Sequence, residues 1–351
     1  MHRSASHSGG HVGRPSVKDV ALRAGVSLGT VSNVLNQTKV VRAETRRRVE
    51  AAIAELGFVR NDSARQLRAG VSCTIAYVTL DVGNPLFTDV ARGIDDIGRR
   101  HGLAVYLCDS RDDPEREDDY IDQFWEQSIR GICLTPVNPD NPRLRLLADS
   151  GVSLVMVDRV PREEPIRWCS VGVDDVRGGE LAVTHLLERG HRRIAFVAGP
   201  MHIPEVADRL RGAQQATQAF GADAKSLTTV GTDDMTVDEG RRAAARVLGQ
   251  AKATRPTAAF CANDLLALGF LQHVMQQGLR VPDDIAIVGY DDIAFASAAA
   301  VPLTSVRQPR HLIGRTAAEL LLEESGRNAY HEHRHVQFPP DLVVRQSSGS
   351  G

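Results

Sequence analysis

The sequence predicts two fold classes in series: an all-α helix-turn-helix head, then a two-lobed α/β body with doubly wound parallel sheets. Three observations carry this. Apolar residues recur at helical spacing in three short, well-punctuated segments between residues 16 and 57. From Cys73 onward, short continuous apolar runs alternate with helical stretches, as buried parallel strands and their crossover helices do. Charge is also divided between the two regions. Residues 1–70 hold twelve Lys/Arg and five Asp/Glu, a net +7, whereas the remainder holds 30 basic and 39 acidic residues, a net −9.

At 351 residues the chain is long enough for two or three domains, and 42% hydrophobic with 25% charged residues is ordinary globular composition. Its five cysteines (Cys73, Cys108, Cys133, Cys169 and Cys261) form no CxxC pair and read as reduced, mostly buried thiols of a cytosolic protein. The first residues have no apolar core, so no secretory signal is expected, and no apolar run approaches the ~20 residues of a membrane span. Residues 1–15, rich in Ser, Gly and His, read as a disordered arm.

Helix one is predicted from about Val17 to Ala24. Ser16 and Asp19 make an S-x-x-D capping signature, and Gly25 is a stop. Val17, Val20, Ala21 and Ala24 fall on one stripe. Ser27 caps helix two, whose Val31, Val34 and Leu35 face inward. Helix three spans about Ala43 to Leu56, repeats the spacing with Val49, Ala52, Ile53 and Leu56, and stops at Gly57. The three-residue connection Gly25-Val26-Ser27 makes the first pair a helix-turn-helix unit.

Helix two crowds poor helix formers together: Gly29, Thr30, Ser32 and Asn33. Leu28, Gly29, Ser32 and Asn33 lie opposite its apolar stripe, close to the helix N-terminus. Such a small polar face suits a helix lying in a major groove, where Ser and Asn meet base edges. Thr30, Thr45 and Arg46 to Arg48 are placed for phosphates, which position a protein without specifying sequence. Ser16, Val17 and Asn36 complete the DNA-facing candidates of the three helices. A basic head on an acidic body fits a polyanionic partner. The alternative is a three-helix mini-domain with a merely solvated polar face.

The motifs K-D-V-A, A-G-V-S, T-V-S-x-V-L-N, T-R-x-R-V, L-G-F and N-x-x-A-R-x-L run without a gap through this head, which resembles the DNA-binding head of the LacI/GalR family of bacterial transcription regulators. The resemblance implies a hinge helix over Asn61 to Leu67 that orders on operator DNA. Asn61 and Ala64 would then lie in the minor groove, with Leu67 wedged between central base pairs. Three positions depart from the pattern. Asn33 stands where many members have arginine, Arg42 replaces a common serine cap, and Arg60 replaces a common proline. These departures concern which DNA sequence is read.

In the body, strands are expected at 74–80, 103–109, 131–136, 153–158, 193–199, 257–263 and 284–290. Helices are expected at 88–101, 115–129, 175–190, 205–220, 236–250 and 264–278. Ligands of doubly wound sheets sit at the carboxyl ends of strands. The polar residues there are Asn84 with Phe87 nearby, Asp158-Arg159, Asn263-Asp264 and Asp291-Asp292, with Arg209 opening a helix and Gln308 following LTSVR. Carboxylates, amides, arginines and one ring suit a polyhydroxylated ligand. Asp264 and Asp292 are assigned instead to helix caps or Asx-turns, Arg211 to a solvated surface charge, and Phe87 and Met235 have core packing as an alternative.

NP-L-F, VDR, V-G-V-D-D-x-x-G-G, R-L-R-G, F-x-x-N-D, VP-D-D-I-A-I-V-G-Y-D-D and P-L-T-S-V-R-Q-P recur in order, and the body is similar to the periplasmic-binding-protein-like effector domain of the same family. Carried over by motif, the effector contacts are Asn84, Phe87, Asp158, Arg159, Arg209, Asn263, Asp291 and Gln308. Met235 occupies a position where some members have an aromatic ring. The set resembles the sugar-binding pattern more than the purine-binding one. Family topology implies three crossings between lobes, near Ser170, Pro302–Arg307 and Val336. The domains expected are therefore an arm (1–15), the helix-turn-helix domain (16–60), hinge and linker (61–72), a two-lobed body (73–345) and a tail (346–351). Lobe one would hold about 73–170 and 307–335, lobe two about 171–302 and 336–345.

The reading is a DNA-binding transcriptional repressor whose operator affinity is set by a small-molecule effector, a sugar, acting as a cytoplasmic, nucleoid-associated homodimer with no membrane role. Alternatives are the same fold sensing a purine or phosphorylated metabolite, or a sugar-binding protein with no DNA role. No catalytic residues, cofactor or metal are expected. G-x-G-x-x-G after a strand and G-x-x-x-x-G-K-[ST] are missing from the sequence. HEHRH (331–335) alternates three histidines but is read as a solvated loop, because no further Cys or carboxylate cluster adjoins it in sequence.

Overall fold

The computed structural model describes residues 15–36, 39–58, 72–159, 168–223, 226–326 and 331–349. They fall into two compact units divided between Val71 and Ser72.

The first unit has α1 (Val17–Ala24), α2 (Leu28–Asn36) and α3 (Ala43–Leu56). The capping box at Ser16 and Asp19 is formed, and Gly25 and Gly57 close α1 and α3 in the left-handed conformation at φ 62° and 59°. The three stripes meet in one small core of Val20, Ala21, Ala24, Val31, Val34, Val49, Ala52 and Phe58, with Leu35 and Ile53 packed at its edge. Arg42 precedes α3 without a side-chain cap.

The second unit holds two six-stranded sheets. Lobe one uses β1 (Thr74–Thr79), β2 (Ala104–Asp109), β3 (Gly131–Leu134), β4 (Ser153–Val157), β5 (Cys169–Val173) and β11 (His335–Phe338), in the order β11-β5-β4-β3-β1-β2, all parallel. Lobe two uses β6 (Ile194–Ala198), β7 (Leu227–Gly231), β8 (Ala258–Cys261), β9 (Ala286–Asp291), β10 (Thr304–Arg307) and β12 (Asp341–Val343). Their order is β12-β10-β9-β8-β6-β7, parallel except for β12. The helices are α4 (Pro85–Arg100), α5 (Pro114–Glu126), α6 (Pro142–Asp149), α7 (Asp175–Glu188), α8 (Pro204–Ala219), α9 (Val237–Leu248), α10 (Asp264–Gln276), α11 (Ala294–Ala298) and α12 (Arg310–Ser325). No helix among the described residues is long and apolar enough to cross a membrane.

The strand pairing corrects the expected crossings. β5 belongs to lobe one, so the chain first crosses after Val173 rather than near Ser170. β10 is in lobe two, which moves the second crossing beyond Arg307, and β11 keeps the chain in lobe one through Phe338 rather than Val336. The expected tail is also corrected. Gln346–Ser348 form a 3-10 turn in which Ser347 and Ser348 are buried. Ser347 Oγ accepts from Thr304 N at 2.8 Å and donates to Ile287 O at 2.6 Å, while Ser348 Oγ meets His185 Nε2 at 2.7 Å. Small hydroxyls there pair backbone groups that the sheet edge leaves over.

Glycines set the helix packing. An added Cβ at Gly212 would lie 1.8 Å from Val176 O, and one at Gly179 2.0 Å from Arg209 O, so α7 and α8 cross in backbone contact. Gly93 and Gly314 do the same for α4 and α12, at 2.2 Å from His311 O and 2.0 Å from Val90 O. The α7–α8 contact fixes the backbone of Arg209 against the first turn of α7.

Candidate functional site

Two surfaces carry the predicted residues, one on each unit. On the first unit, Leu28, Gly29 and Asn36 are exposed on α2, and Thr30, Ser32 and Asn33 are half-buried. Thr30 N donates to Ser27 Oγ at 3.1 Å, and Asn36 Nδ2 donates to Ser32 Oγ at 3.0 Å. No acidic residue lies in the first turn of α2, so its positive end is uncompensated by the helix itself. Thr45 and Arg46 sit half-buried in the first turn of α3.

Three of the head candidates also serve the fold. Val17 packs against the head core. Ser16 N and Oγ both donate to Asp19 Oδ2 at 2.7 Å, and these bonds hold the Asp19 carboxyl below its usual range. Arg48 Nη2 donates to Ala24 O at 2.6 Å and Gly25 O at 3.2 Å, closing the C-terminus of α1. Asn61, Ala64 and Leu67 lie outside the described residues.

In the second unit both sheets present their carboxyl ends, each near a point where strand order reverses: between β1 and β3 in lobe one, and between β6 and β8 in lobe two. Asn84 caps α4, accepting from Leu86 N at 3.0 Å, and its Nδ2 reaches Asp291 Oδ2 in the other lobe at 3.5 Å. Gln308 Nε2 donates to Asp291 Oδ1 at 2.8 Å. Gln308 Oε1 is buried with no hydrogen-bond partner among the described residues, a capacity a ligand hydroxyl would fill. Arg209, 3% exposed, donates through Nε to Asp175 Oδ1 at 2.8 Å and through Nη1 to Ala262 O at 2.7 Å. Its guanidinium lies 3.8 Å over the Tyr290 ring. Arg159 meets Glu205 across the lobes at 3.7 Å, and Asp112 meets His202 at 3.1 Å.

Strand ends are strained where function is expected. Asp158, Asp291 and Asp292 have φ of 56°, 99° and 50°. The electrostatics are carboxylate-heavy. Burial, then Asp175 and Glu205, push Asp158 well above its ordinary value. Burial raises Asp291 to about 6 against the pull of Arg209, and burial with Asp175 raises Glu205 to about 7. Burial opposes the Arg209 charge, yet Asp175 and its other anionic neighbours hold that charge firmly in place.

The remaining candidates separate. Asn263 is a buried cap of α10, accepting from Leu266 N at 2.9 Å and donating to Met235 O at 3.1 Å. Met235 packs against the lobe-two core, and Phe87 lies within the lobe-one core, so its ring is a wall rather than an open stacking face. Asp264 and Asp292 are structural, though not as caps or Asx-turns. Asp264 accepts from Ile293 N and Ser305 Oγ at 2.8 and 2.7 Å, and Asp292 pairs with Arg307 and Arg345 at 2.8 and 2.6 Å. Arg211 is a surface charge paired with Asp208 at 3.1 Å. Asp175, Glu205, Tyr290 and Arg310 were not singled out from sequence. Arg310 pairs with Asp89 at 3.2 Å and donates to Asp291 O at 2.7 Å, joining the lobes. The motif V-G-V-D-D held the signal for Asp175, but nothing in the sequence set its second aspartate above its first.

Residues 16–61 match the family described as bacterial regulatory proteins, lacI family, and residues 183–348 match the periplasmic binding protein-like domain. Over 335 residues the chain is 32% identical to the HTH-type transcriptional repressor PurR of Aliivibrio fischeri (strain MJ11), covering 95% of this chain and 98% of that one. Among solved structures, the lac repressor dimer bound to operator and the anti-inducer ONPF is similar with a TM-score of 0.82 at 29% identity, covering 96% of this chain and 99% of that one. The transcriptional regulator CelR–cellobiose complex gives 0.70 at 32% identity, covering 95% and 100%. A LacI family transcriptional regulator from Enterococcus faecium with bound ribose gives 0.71 at 27%, covering 79% and 98%.

Proposed function

The chain belongs to the lacI family of bacterial regulatory proteins and is a DNA-binding transcriptional repressor; on that premise we propose that a sugar between its two lobes sets its affinity for operator. The observation that carries the ligand class is the Asp291 cluster. One buried carboxylate, flanked by the amides of Asn84 and Gln308, presents paired acceptors and donors to neighbouring hydroxyls. Asp158 and Arg159 approach from lobe one, and Arg209 and Asn263 from lobe two. Cellobiose and ribose occupy similar regulators in solved complexes, which supports the same class here.

A phosphorylated ligand is disfavoured, because Arg209 and Arg159 are already engaged by Asp175 and Glu205 in a pocket richer in carboxylates than in cations. A planar base is disfavoured because Phe87 is packed into the core and Met235 offers no ring.

Leu28, Gly29, Ser32, Asn33 and Asn36 would read the major groove from α2, with Thr30, Thr45 and Arg46 on phosphates and Asn61, Ala64 and Leu67 in the minor groove. Two copies on a palindromic operator match two half-sites, and the lac repressor dimer on operator supports that stoichiometry. Tyr106 and Leu107, about half exposed on the edge strand β2, supply apolar surface for a second copy. Effector and operator are linked through the lobes, and the ligand need only bind one lobe arrangement better than the other.

A thermal-shift screen of the full chain against pentoses, hexoses, disaccharides and purines tests the ligand class. Stabilisation by a sugar, with a matching change in operator affinity, is expected. Stabilisation by purines alone would overturn the sugar reading.

A further inference from the structure

The fold surrounds two of the HEHRH histidines with a thiol and a carboxylate from distant segments. Cys169, fully buried at the start of β5, has its Sγ 3.1 Å from His331 Nε2 and 4.0 Å from His333 Nδ1. Glu324, in the last turn of α12, completes the group, and one ligand atom from each of the four lies within 4.8 Å of every other. A tetrahedral zinc with bonds of about 2.0–2.3 Å separates its ligand atoms by about 3.3–3.8 Å, which falls within these separations.

We propose that Cys169, Glu324, His331 and His333 form a site for a divalent transition metal, Zn²⁺ above all, separate from the effector pocket. The sequence reading of this stretch as a solvated loop without adjoining Cys or carboxylate is thereby revised. Ligand chemistry selects the metal class: a thiol and two imidazoles suit Zn²⁺ and its neighbours, and exclude Mg²⁺ and Ca²⁺ as the intended ion.

A second observation points the same way. Glu324 Oε2 is buried with no hydrogen-bond partner among the described residues, while its Oε1 accepts only a long bond from Leu154 N at 3.4 Å. A buried carboxylate oxygen in that condition calls for a cation or donor.

The site lies at the amino ends of β5 and β11, whereas Asp158 and Asn84 follow the carboxyl ends of β4 and β1 in the same sheet. A bound ion would fasten the returning chain before β11 to β5 and to the end of α12.

The experiment is Co²⁺ titration of the reduced, metal-free full-length protein. One equivalent is expected to give tetrahedral visible bands and a thiolate-to-cobalt band in the near ultraviolet, displaced by Zn²⁺. The thiolate band should vanish in Cys169→Ser and in His331→Ala/His333→Ala, and Glu324→Gln should weaken binding at least tenfold. The two histidines are half-exposed, so their replacement leaves the core intact, and circular dichroism checks this. The arm histidines His2, His7 and His11 supply no thiolate and cannot mimic the signature. Lack of a thiolate band in the unmodified protein, or its persistence in the double histidine variant, would overturn the proposal.

Discussion

Asn84 and Asp291 stand 3.5 Å apart, amide to carboxylate, although one follows a strand of the first sheet and the other ends a strand of the second. This contact spans the lobes at the point where the effector is proposed to bind. Asp291→Asn keeps the shape and removes the charge. The variant should still bind operator, while effector affinity falls at least tenfold, or about 1.4 kcal/mol. Calorimetric titration with the sugar from the screen measures this, and unchanged affinity would count against the pocket.

Arg209→Met should destabilise the second unit by about 3–5 kcal/mol, because Asp175 loses its buried partner. Adding Asp175→Asn should restore part of the loss. Urea unfolding of the two variants and the parent gives the comparison, and equal stability in single and double variants would contradict a coupled pair.

Glu205 and Asp291 predict a pH dependence. Each carboxyl is raised in the folded state, from 4.5 to about 7 and from 3.8 to about 6, so between those values the folded chain binds more protons than the unfolded one. Stability therefore declines as pH rises from about 4 to about 7, and recovers on acidification across the same window. Glu205→Gln should flatten the slope between about pH 4.5 and 7. Urea midpoints collected across this range test the sign, and a slope unchanged in the variant would refute the assignment.

Two glycine substitutions should act in opposite directions. Gly212→Ala forces a methyl onto Val176 O and should cost several kcal/mol by parting α7 from α8. Gly29→Ala meets nothing nearer than Ser27 Oγ at 3.7 Å. It should leave the free protein as stable or more so, by up to about 1 kcal/mol, yet weaken operator binding through added bulk on the reading face. Thermal melts paired with DNA titrations separate the two effects.

On the head, Asn33→Ala should change which operator is preferred, whereas Arg46→Ala should weaken all sites alike and reduce the salt slope by about 1. Arg48→Ala should lower head stability through the lost α1 cap while leaving that slope unchanged. Salt-dependent binding to an operator library reads all three.

Much of this protein was legible in one dimension. The stripes Val17-Val20-Ala21-Ala24 and Val49-Ala52-Ile53-Leu56 and the stops at Gly25 and Gly57 gave the head helices to the residue. Continuous apolar runs such as TIAYVT and AIVGYD located the central strands, and Asn84, Asp291 and Gln308 were found because doubly wound sheets expose their carboxyl ends. Local periodicity and capping chemistry are short-range, so the sequence alone determined them. It missed β5, β7, β10, β11 and β12, whose short or polar segments (CSVGV, LTTVG, TSVR, HVQF, DLV) become strands only because a neighbour pairs with them. Only the tertiary structure decided that Asp175 would anchor Arg209, that Arg48 would cap a helix, and that Cys169, Glu324 and two histidines would share one small volume. These are meetings of groups up to 164 positions apart in the chain. The physical reason is that side-chain chemistry acts over a few ångströms of space, and the pattern of neighbours along a chain carries no record of which distant segments the sheets will bring within that reach.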